Sequence, residues 1–188
     1  MRKTSWSWLV LGVTALACGG EPTAVTVQPN VPRSMGSNLS AGGVEVSVTG
    51  SGHVMRDLGA GEELTTFSYN AKRRADGRTS GQYQYNFRAL NLVVHGTVTC
   101  VTVAGNVAWI GGVIDKLRSD DPVDQELVGT DIWWRVTDNG QGAHDPADET
   151  TSLLFTIPGN PTTAASWCAD QPTRGVQRPI VAGNIKIH

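Results

Sequence analysis

The densest set of side chains able to do chemistry is the run Asp138-Asn139-Gly140-Gln141-Gly142-Ala143-His144-Asp145-Pro146-Ala147-Asp148-Glu149. Calcium takes about six to eight oxygens from carboxylates, amide carbonyls and water, and Asp138, Asn139, Asp145 and Asp148 are the candidate donors. Their spacing is not that of an EF-hand. Asp-Asn-Gly is also the composition of a tight turn, because Asn and Gly tolerate positive φ, so calcium loop and solvated turn are the two readings. The histidines His53, His95, His144 and His188 are dispersed. No pair of them has zinc-site spacing, and a single strand histidine is ordinarily a hydrogen-bonded structural group. The chain has no Gly-x-Ser-x-Gly elbow, phosphate-binding loop or His-Glu-x-x-His helix. No catalytic residue is therefore assigned and no cofactor is expected. The paired carboxylates of a glycosidase are set by the fold and not by spacing, so a secreted β-fold enzyme acting on glycans is the alternative to a binding or structural module. An enzyme would bring carboxylates, or a Ser/His pair, together in a cleft; a module would present an exposed aromatic patch.

Trp133 and Trp134 are the candidate ligand surface. Consecutive residues of a strand point to opposite faces, so one ring serves the core while the other is open to a glycan or protein partner, unless a loop covers it. Lys72, Arg73, Arg74 and Arg78, with Arg56 or Arg88 nearby, form a candidate basic hairpin end for anionic head groups, at about 1 kcal/mol per charge near a membrane surface. A charged tip that keeps a hairpin soluble has the same composition.

Location is written in the first residues. Arg2 and Lys3 precede an apolar run from about Trp8 to Ala17, and Ala15-Leu16-Ala17-Cys18 closes it. A run of roughly ten residues is too short to cross a ~30 Å hydrocarbon core; the order fits a cleaved export signal over residues 1–17. Small residues before a cysteine resemble the lipobox of bacterial lipoproteins. That resemblance implies that Cys18 carries a diacylglycerol on sulfur and becomes the acylated first residue of an extracytoplasmic protein, anchored to a bacterial membrane. Gly19 in place of Asp allows outer-membrane sorting where such a membrane exists. The alternative is ordinary secretory cleavage near Ala17, with Cys18 a bystander.

Of the 188 residues, cleavage before Cys18 leaves one domain's worth of chain, with 13 Lys and Arg against 17 Asp and Glu, a net charge of −4. This argues against nucleic acid as a partner, since a binder of that class shows a basic excess. Cys100 and Cys168 remain, in a compartment where thiols pair. A disulfide between them is expected, with two separately buried thiols as the alternative.

Residues 18–43 are rich in Gly, Pro, Ser and Asn and read as a flexible tether, in which Ala24-Val25-Thr26-Val27 alone has strand composition. The β-domain occupies 44–188. Val44, Val46 and Val48 alternate at its start and Ile185 and Ile187 at its end. Thr65, Phe67, Tyr69 and Ala71 share one face of a strand, and Tyr83, Tyr85 and Phe87 share one face of the next. A three-residue loop Ala75-Asp76-Gly77, with Gly77 left-handed, sets Tyr69 opposite Tyr83 and Phe67 opposite Tyr85; a two-residue loop would set Phe67 opposite Asn86. A second hairpin turning at Gly105-Asn106 sets Val103 against Ala108 and Val101 against Ile110, with Cys100 and Trp109 on the other face. Further strands are expected at Leu90–His95, Ile132–Thr137, Leu153–Ile157 and Ile180–Ala182, and Asp115 to Asp131 reads as a polar loop. The fold class is all-β, an antiparallel sandwich or barrel-like fold of about nine short strands.

The strings Phe67-Ser68-Tyr69-Asn70-Ala71-Lys72, Gly81-Gln82-Tyr83-Gln84-Tyr85, His95-Gly96-Thr97-Val98-Thr99-Cys100, Ala108-Trp109-Ile110-Gly111-Gly112, Val136-Thr137-Asp138-Asn139-Gly140 and Gly183-Asn184-Ile185 occur in this order. Together they resemble an exported bacterial β-domain known as the post-COAP domain, over roughly Gly50 to His188. The resemblance implies a β-fold and export and supplies no catalytic residue. The expectation is a lipid-anchored envelope protein whose partners are the membrane, through its anchor, and an envelope glycan or protein.

Overall fold

Alternation of apolar and polar side chains runs along almost every strand, and it sorts the residues between the inside and the outside of a closed antiparallel sheet. The computed structural model describes residues 43–57, 61–142, 144–156 and 161–188. The signal segment, Cys18 and the tether up to residue 42 lie outside the described residues, as do Ala143 and Ile157. The elements are β1 (Val44–Asp57), β2 (Glu62–Arg74), β3 (Thr79–Phe87), β4 (Leu92–Ala104), β5 (Val107–Arg118), β6 (Asp131–Thr137), β7 (Glu149–Thr151), β8 (Leu154–Phe155), α1 (Ala164–Asp170) and β9 (Gln177–Ile187). In the nine-stranded sheet the order is β5-β4-β3-β2-β1-β9-β7-β6-β8, and β5 also pairs with β6. The sheet therefore closes into a barrel. β7 and β8 share one edge of β6, at Val136–Thr137 and at Ile132–Trp133, while β5 takes the other edge.

The register follows the alternation. Tyr69 faces Tyr83 and Phe67 faces Tyr85; Arg74 N–H donates to the Arg78 carbonyl at 2.9 Å, and Gly77 has φ +82°. Across β4 and β5, Val103 faces Ala108 and Val101 faces Ile110. The two apolar runs expected around His95 and Val98 are one continuous strand, bent at irregularities between His95 and Gly96 and between Val98 and Cys100. Part of the expected polar loop is strand as well, since β5 runs to Arg118 and a 3-10 turn spans Pro122–Leu127.

The helix α1 was absent from the sequence expectation. Thr163 caps it, accepting from Ser166 N–H, and the Ser166 hydroxyl accepts in return from Thr163 N–H. A Thr-x-x-Ser box satisfies two of the amides that a helix start leaves free. One face of this short helix buries Ala164, Trp167 and Cys168. Cys168 is joined to Cys100 of β4 by a disulfide. In the chain-entropy model a loop of this separation, 68 residues, stabilises the fold by about 4 kcal/mol.

A ring of about eight strands encloses just enough space for side chains to fill. Here aromatic rings fill it. Trp134 of β6 lies 5.7 Å from Tyr69, 5.2 Å from Tyr83 and 5.9 Å from Tyr85, centroid to centroid, and Phe67 and Phe87 extend the stack on either side of Tyr85. Room for these rings comes from glycine. Gly50 pairs with Tyr69 and Gly96 with Tyr83, and a Cβ on Gly50 would stand 2.3 Å from the Tyr69 ring and hydroxyl.

Arg56 enters the barrel at the end remote from the start of β1, and is only 2% exposed. Its guanidinium donates to the Thr151 carbonyl and to the Ser152 hydroxyl. It thereby fills the break in the wall between β7 and β8. On the other side of the same break, Arg135 N–H donates to Thr151 Oγ1 at 3.0 Å in place of a strand partner.

Because the three heavy atoms nearest a Cβ on Gly50 all belong to Tyr69, the two positions form a testable pair. Gly50→Ala is expected to cost about 1–3 kcal/mol by overpacking. Adding Tyr69→Leu should make the double variant more stable than the sum of the single changes predicts, as read from urea denaturation midpoints. Strict additivity would show that the ring does not rest on the glycine.

Candidate functional site

The outward side chains of five adjacent strands form an extended polar surface. Strand pairing aligns Lys186, Thr49, Asn70, Gln82 and Thr97 in one row across β9, β1, β2, β3 and β4. The next row holds Asn184, Ser51, Ser68, Gln84 and His95 and continues to Lys116 of β5. A third row places His53, Thr66, Asn86 and Val93 in line with Arg118. A shallow groove crosses the first two rows, and a second depression, lined by Gln84, Asn86, Val93, His95, Lys116 and Arg118, continues it toward β5.

The groove is polar because its inward partners are aromatic. In β3, Gln82, Gln84 and Asn86 alternate with Tyr83, Tyr85 and Phe87, so burying the rings turns the amides outward. Among the described residues no carboxylate lines either depression. Asp115, beside Lys116 in β5, accepts from the Thr97 hydroxyl at 2.6 Å. His53 Nδ1 and Thr66 Oγ1 are 3.0 Å apart in the third row. This surface was not singled out in the sequence; its signal was the Gln-Tyr-Gln-Tyr-Asn alternation itself.

The residues that were singled out are placed elsewhere. Trp133 and Trp134 point to opposite faces, but neither is an exposed platform: they are 1% and 0% exposed. Trp134 fills the barrel. Trp133 lies outside it under α1, 6.2 Å from Trp167, in a second apolar cluster with Trp109. Helix and disulfide supply the cover.

The calcium candidates serve the backbone. Asp148 is 5% exposed, and its two oxygens accept from Asn139 N–H at 2.8 Å and Ile185 N–H at 2.7 Å. Asp138 accepts from Gly140 and Ile187 N–H, at 3.0 and 2.9 Å. Asp145 accepts from Gly142 N–H at 2.6 Å, and the Asn139 amide donates to the Ala147 carbonyl at 2.8 Å. Among the described residues no group of three His, Cys, Asp or Glu side chains is arranged to hold a metal. The loop is a turn that ties β9 to the end of β6, and its carboxylates accept from backbone amides. His144 is exposed on it.

The basic residues divide between the two ends of the barrel. Lys72, Arg73, Arg74 and Arg78 surround the β2–β3 tip; Arg73 pairs with Glu45 at 3.4 Å and Arg78 with Asp76 at 3.5 Å. Arg56 and Arg88 are not near them, because Arg56 faces Glu63 at the start of β2 and Arg88 follows the end of β3. A strand of 13 residues separates the ends.

Titration is perturbed inside the barrel. Burial pushes the phenols of Tyr69, Tyr83 and Tyr85 well above the usual value near 10, and neighbouring negative groups add to the effect for Tyr69 and Tyr83. For Tyr85, Arg56 and Thr150 oppose the rise. Burial also lowers the Arg56 and Arg135 guanidinium pKa values. No catalytic acid or base follows from these groups, which are packed among rings or against backbone.

No family model, curated protein or solved structure matches this chain.

Two outcomes test these placements. The chain's three tyrosines are all in the barrel. Their native pKa values stand above the unfolded ones, so stability is fully present below about pH 10 and is lost above it, as unfolded tyrosines ionise. The urea midpoint should stay level up to about pH 9 and then fall, with phenolate absorbance appearing only together with unfolding; phenolate in the folded protein near pH 10 would contradict the buried assignment. Separately, Asp148→Asn should cost about 1–3 kcal/mol, because one buried amide loses its acceptor. Added calcium should leave the wild-type thermal midpoint unchanged, and a rise would restore the ligand reading.

Proposed function

We propose that this chain is a lipid-anchored, extracytoplasmic envelope protein whose barrel is a binding module and whose working surface is the polar groove over β9, β1, β2, β3 and β4. The observation that carries the reading is the groove's composition: hydroxyl and amide side chains in aligned rows, without a carboxylate among the described lining residues. Glycoside hydrolysis needs two carboxylates facing across the bond to be cleaved. Nucleophilic catalysis needs a hydroxyl or thiol oriented by a base, which itself is held by a third group. The lining offers hydrogen-bonding groups in number but neither of these arrangements, which favours retention of a ligand over its conversion.

The entry end of the barrel supports anchoring. Ala75 N–H donates to the Gly43 carbonyl at 3.1 Å, so the chain enters the barrel beside the tip that carries Lys72, Arg74 and Arg78. Arg78 is already paired with Asp76, while Lys72 and Arg74 are exposed. An acyl anchor at Cys18 lies upstream of this entry point in the sequence. Basic groups at the entry end add a modest attraction to anionic head groups, about 1 kcal/mol for each one that reaches the surface. No helix among the described residues is long and apolar enough to cross a membrane.

Cys18→Ser removes the sulfur that would receive the diacylglycerol, whose burial is worth about 0.8 kcal/mol per CH₂. The variant should leave the membrane fraction, while the wild type partitions into the detergent phase of a two-phase split. The released variant should still be retained by detergent-washed envelope material, and Asn70→Ala with Gln84→Ala should reduce that retention. Wild-type protein in the aqueous phase would refute the anchor; retention indifferent to the groove substitutions would refute the module.

A further inference from the structure

We propose that the groove binds an acidic polysaccharide laid across the strands, an inference that rests on the binding-module reading above and names its ligand class. The row from Asn184 through Gln84 to Lys116 crosses six strands, β9 to β5, and at a strand spacing of about 4.8 Å it spans roughly 24 Å. That length suits a stretch of polymer better than a single small molecule.

Charge supplies the class. Lys186 stands at the β9 end and Lys116 and Arg118 at the β5 end, all exposed, and none of the three makes an ion pair with a described residue. Arg73, Arg78 and Arg178, elsewhere on the barrel, are each paired with a carboxylate. Between the unpaired cations the described lining carries mainly hydroxyls and amides, with His95, the buried Val93 and the buried Tyr69 and Tyr83 rings beneath them, and the Asp115 carboxylate at the β5 edge is engaged by the Thr97 hydroxyl. Each side-chain amide presents a carbonyl acceptor and two N–H donors, a match for neighbouring sugar hydroxyls, and the cations at either end match carboxylates on the sugar units.

Other partners lack a foothold. The groove lies in the interior of a closed sheet, so its strands have no free edge for an added peptide strand. No large apolar side chain is exposed in its lining to act as a protein-interface anchor. Apart from the half-buried His95 imidazole, its lining offers no accessible ring for stacking nucleic-acid bases.

The test uses the full-length protein in mild non-ionic detergent, run through gels containing polygalacturonate or, as the neutral control, dextran. Polygalacturonate should retard the wild type, with retardation falling as salt rises, and dextran should bind about tenfold or more weakly. Replacing Lys116, Arg118 and Lys186 by Gln together should weaken polygalacturonate binding about tenfold. Asn70→Ala with Gln84→Ala should weaken it as well, whereas Lys72→Gln with Arg74→Gln at the barrel tip should not. All these positions are exposed, and unchanged urea midpoints confirm that each variant is folded. If the tip variant loses binding as much as the groove variants do, the groove assignment is overturned. Equal binding of dextran and polygalacturonate, still dependent on Asn70 and Gln84, overturns the acidic class while the module reading stands. Failure of both polymers to bind overturns the polysaccharide inference, and envelope retention of the Cys18→Ser protein then decides the module reading separately.

Discussion

Closing the sheet around six aromatic rings is the constraint on which the rest of the molecule depends. A small barrel has little interior, and Trp134, Tyr69, Tyr83, Tyr85, Phe67 and Phe87 occupy most of its middle. Such rings fit only where the facing strand withholds a side chain, and Gly50 and Gly96 do so directly opposite Tyr69 and Tyr83. The rings contribute a large apolar area. The hydroxyls of Tyr69 and Tyr83 and the indole N–H of Trp134 are nevertheless buried without a hydrogen-bond partner among the described residues. The interior is therefore stabilised by area and ring geometry more than by polar pairing, and ionising a phenol inside it is costly.

What lies outside the barrel follows from what fills it. Pairing β6 with β5 turns Trp134 inward and forces Trp133 and Trp109 outward, where two indoles would form an exposed apolar patch. Helix α1 covers them. Trp167 packs on Trp133, the Trp167 indole donates to the Trp134 carbonyl at 3.0 Å, and Trp109 donates to the Pro172 carbonyl at 2.9 Å. The disulfide fastens this cover to β4, so the segment after β8 is held by a covalent bond as well as by packing. Over β9, β1, β2 and β3 no described element supplies such a cover, and the outward residues there are mostly amides and hydroxyls.

Groups that look chemical in a sequence are put to structural use when their oxygens find backbone amides first. Asp148 and Asp138 accept from Ile185 and Ile187 of the last strand, and so pin the end of the chain beside β7 and the β6–β7 loop. Arg56 does the converse work at the far end, with a cation donating to a carbonyl and a hydroxyl at a break in the wall. In both places a charged group compensates for backbone that has left the ladder, because a buried unpaired N–H or C=O costs more than such a contact. In the groove, by contrast, the amides of Asn70, Gln82 and Gln84 are exposed.

The sequence by itself determined what depends on neighbours along the chain. Alternation in β2 and β3, with Gly77 able to take positive φ, set Tyr69 against Tyr83; the Gly105-Asn106 turn set Val101 against Ile110; export chemistry pointed to the pairing of Cys100 and Cys168. Each of these rests on a period of two, a turn type or a count of thiols, all short-range or compositional. Tertiary structure alone decided that β5 meets β6 and β1 meets β9, that α1 covers Trp133, and that Asp148 is an acceptor for a distant amide. Those outcomes depend on accumulated strand twist and on which distant edges have hydrogen-bonding groups left to pair, and no local pattern records either. The polar groove belongs to both: its amides are the visible half of the alternation, but only the pairing of five strands brought them into one surface.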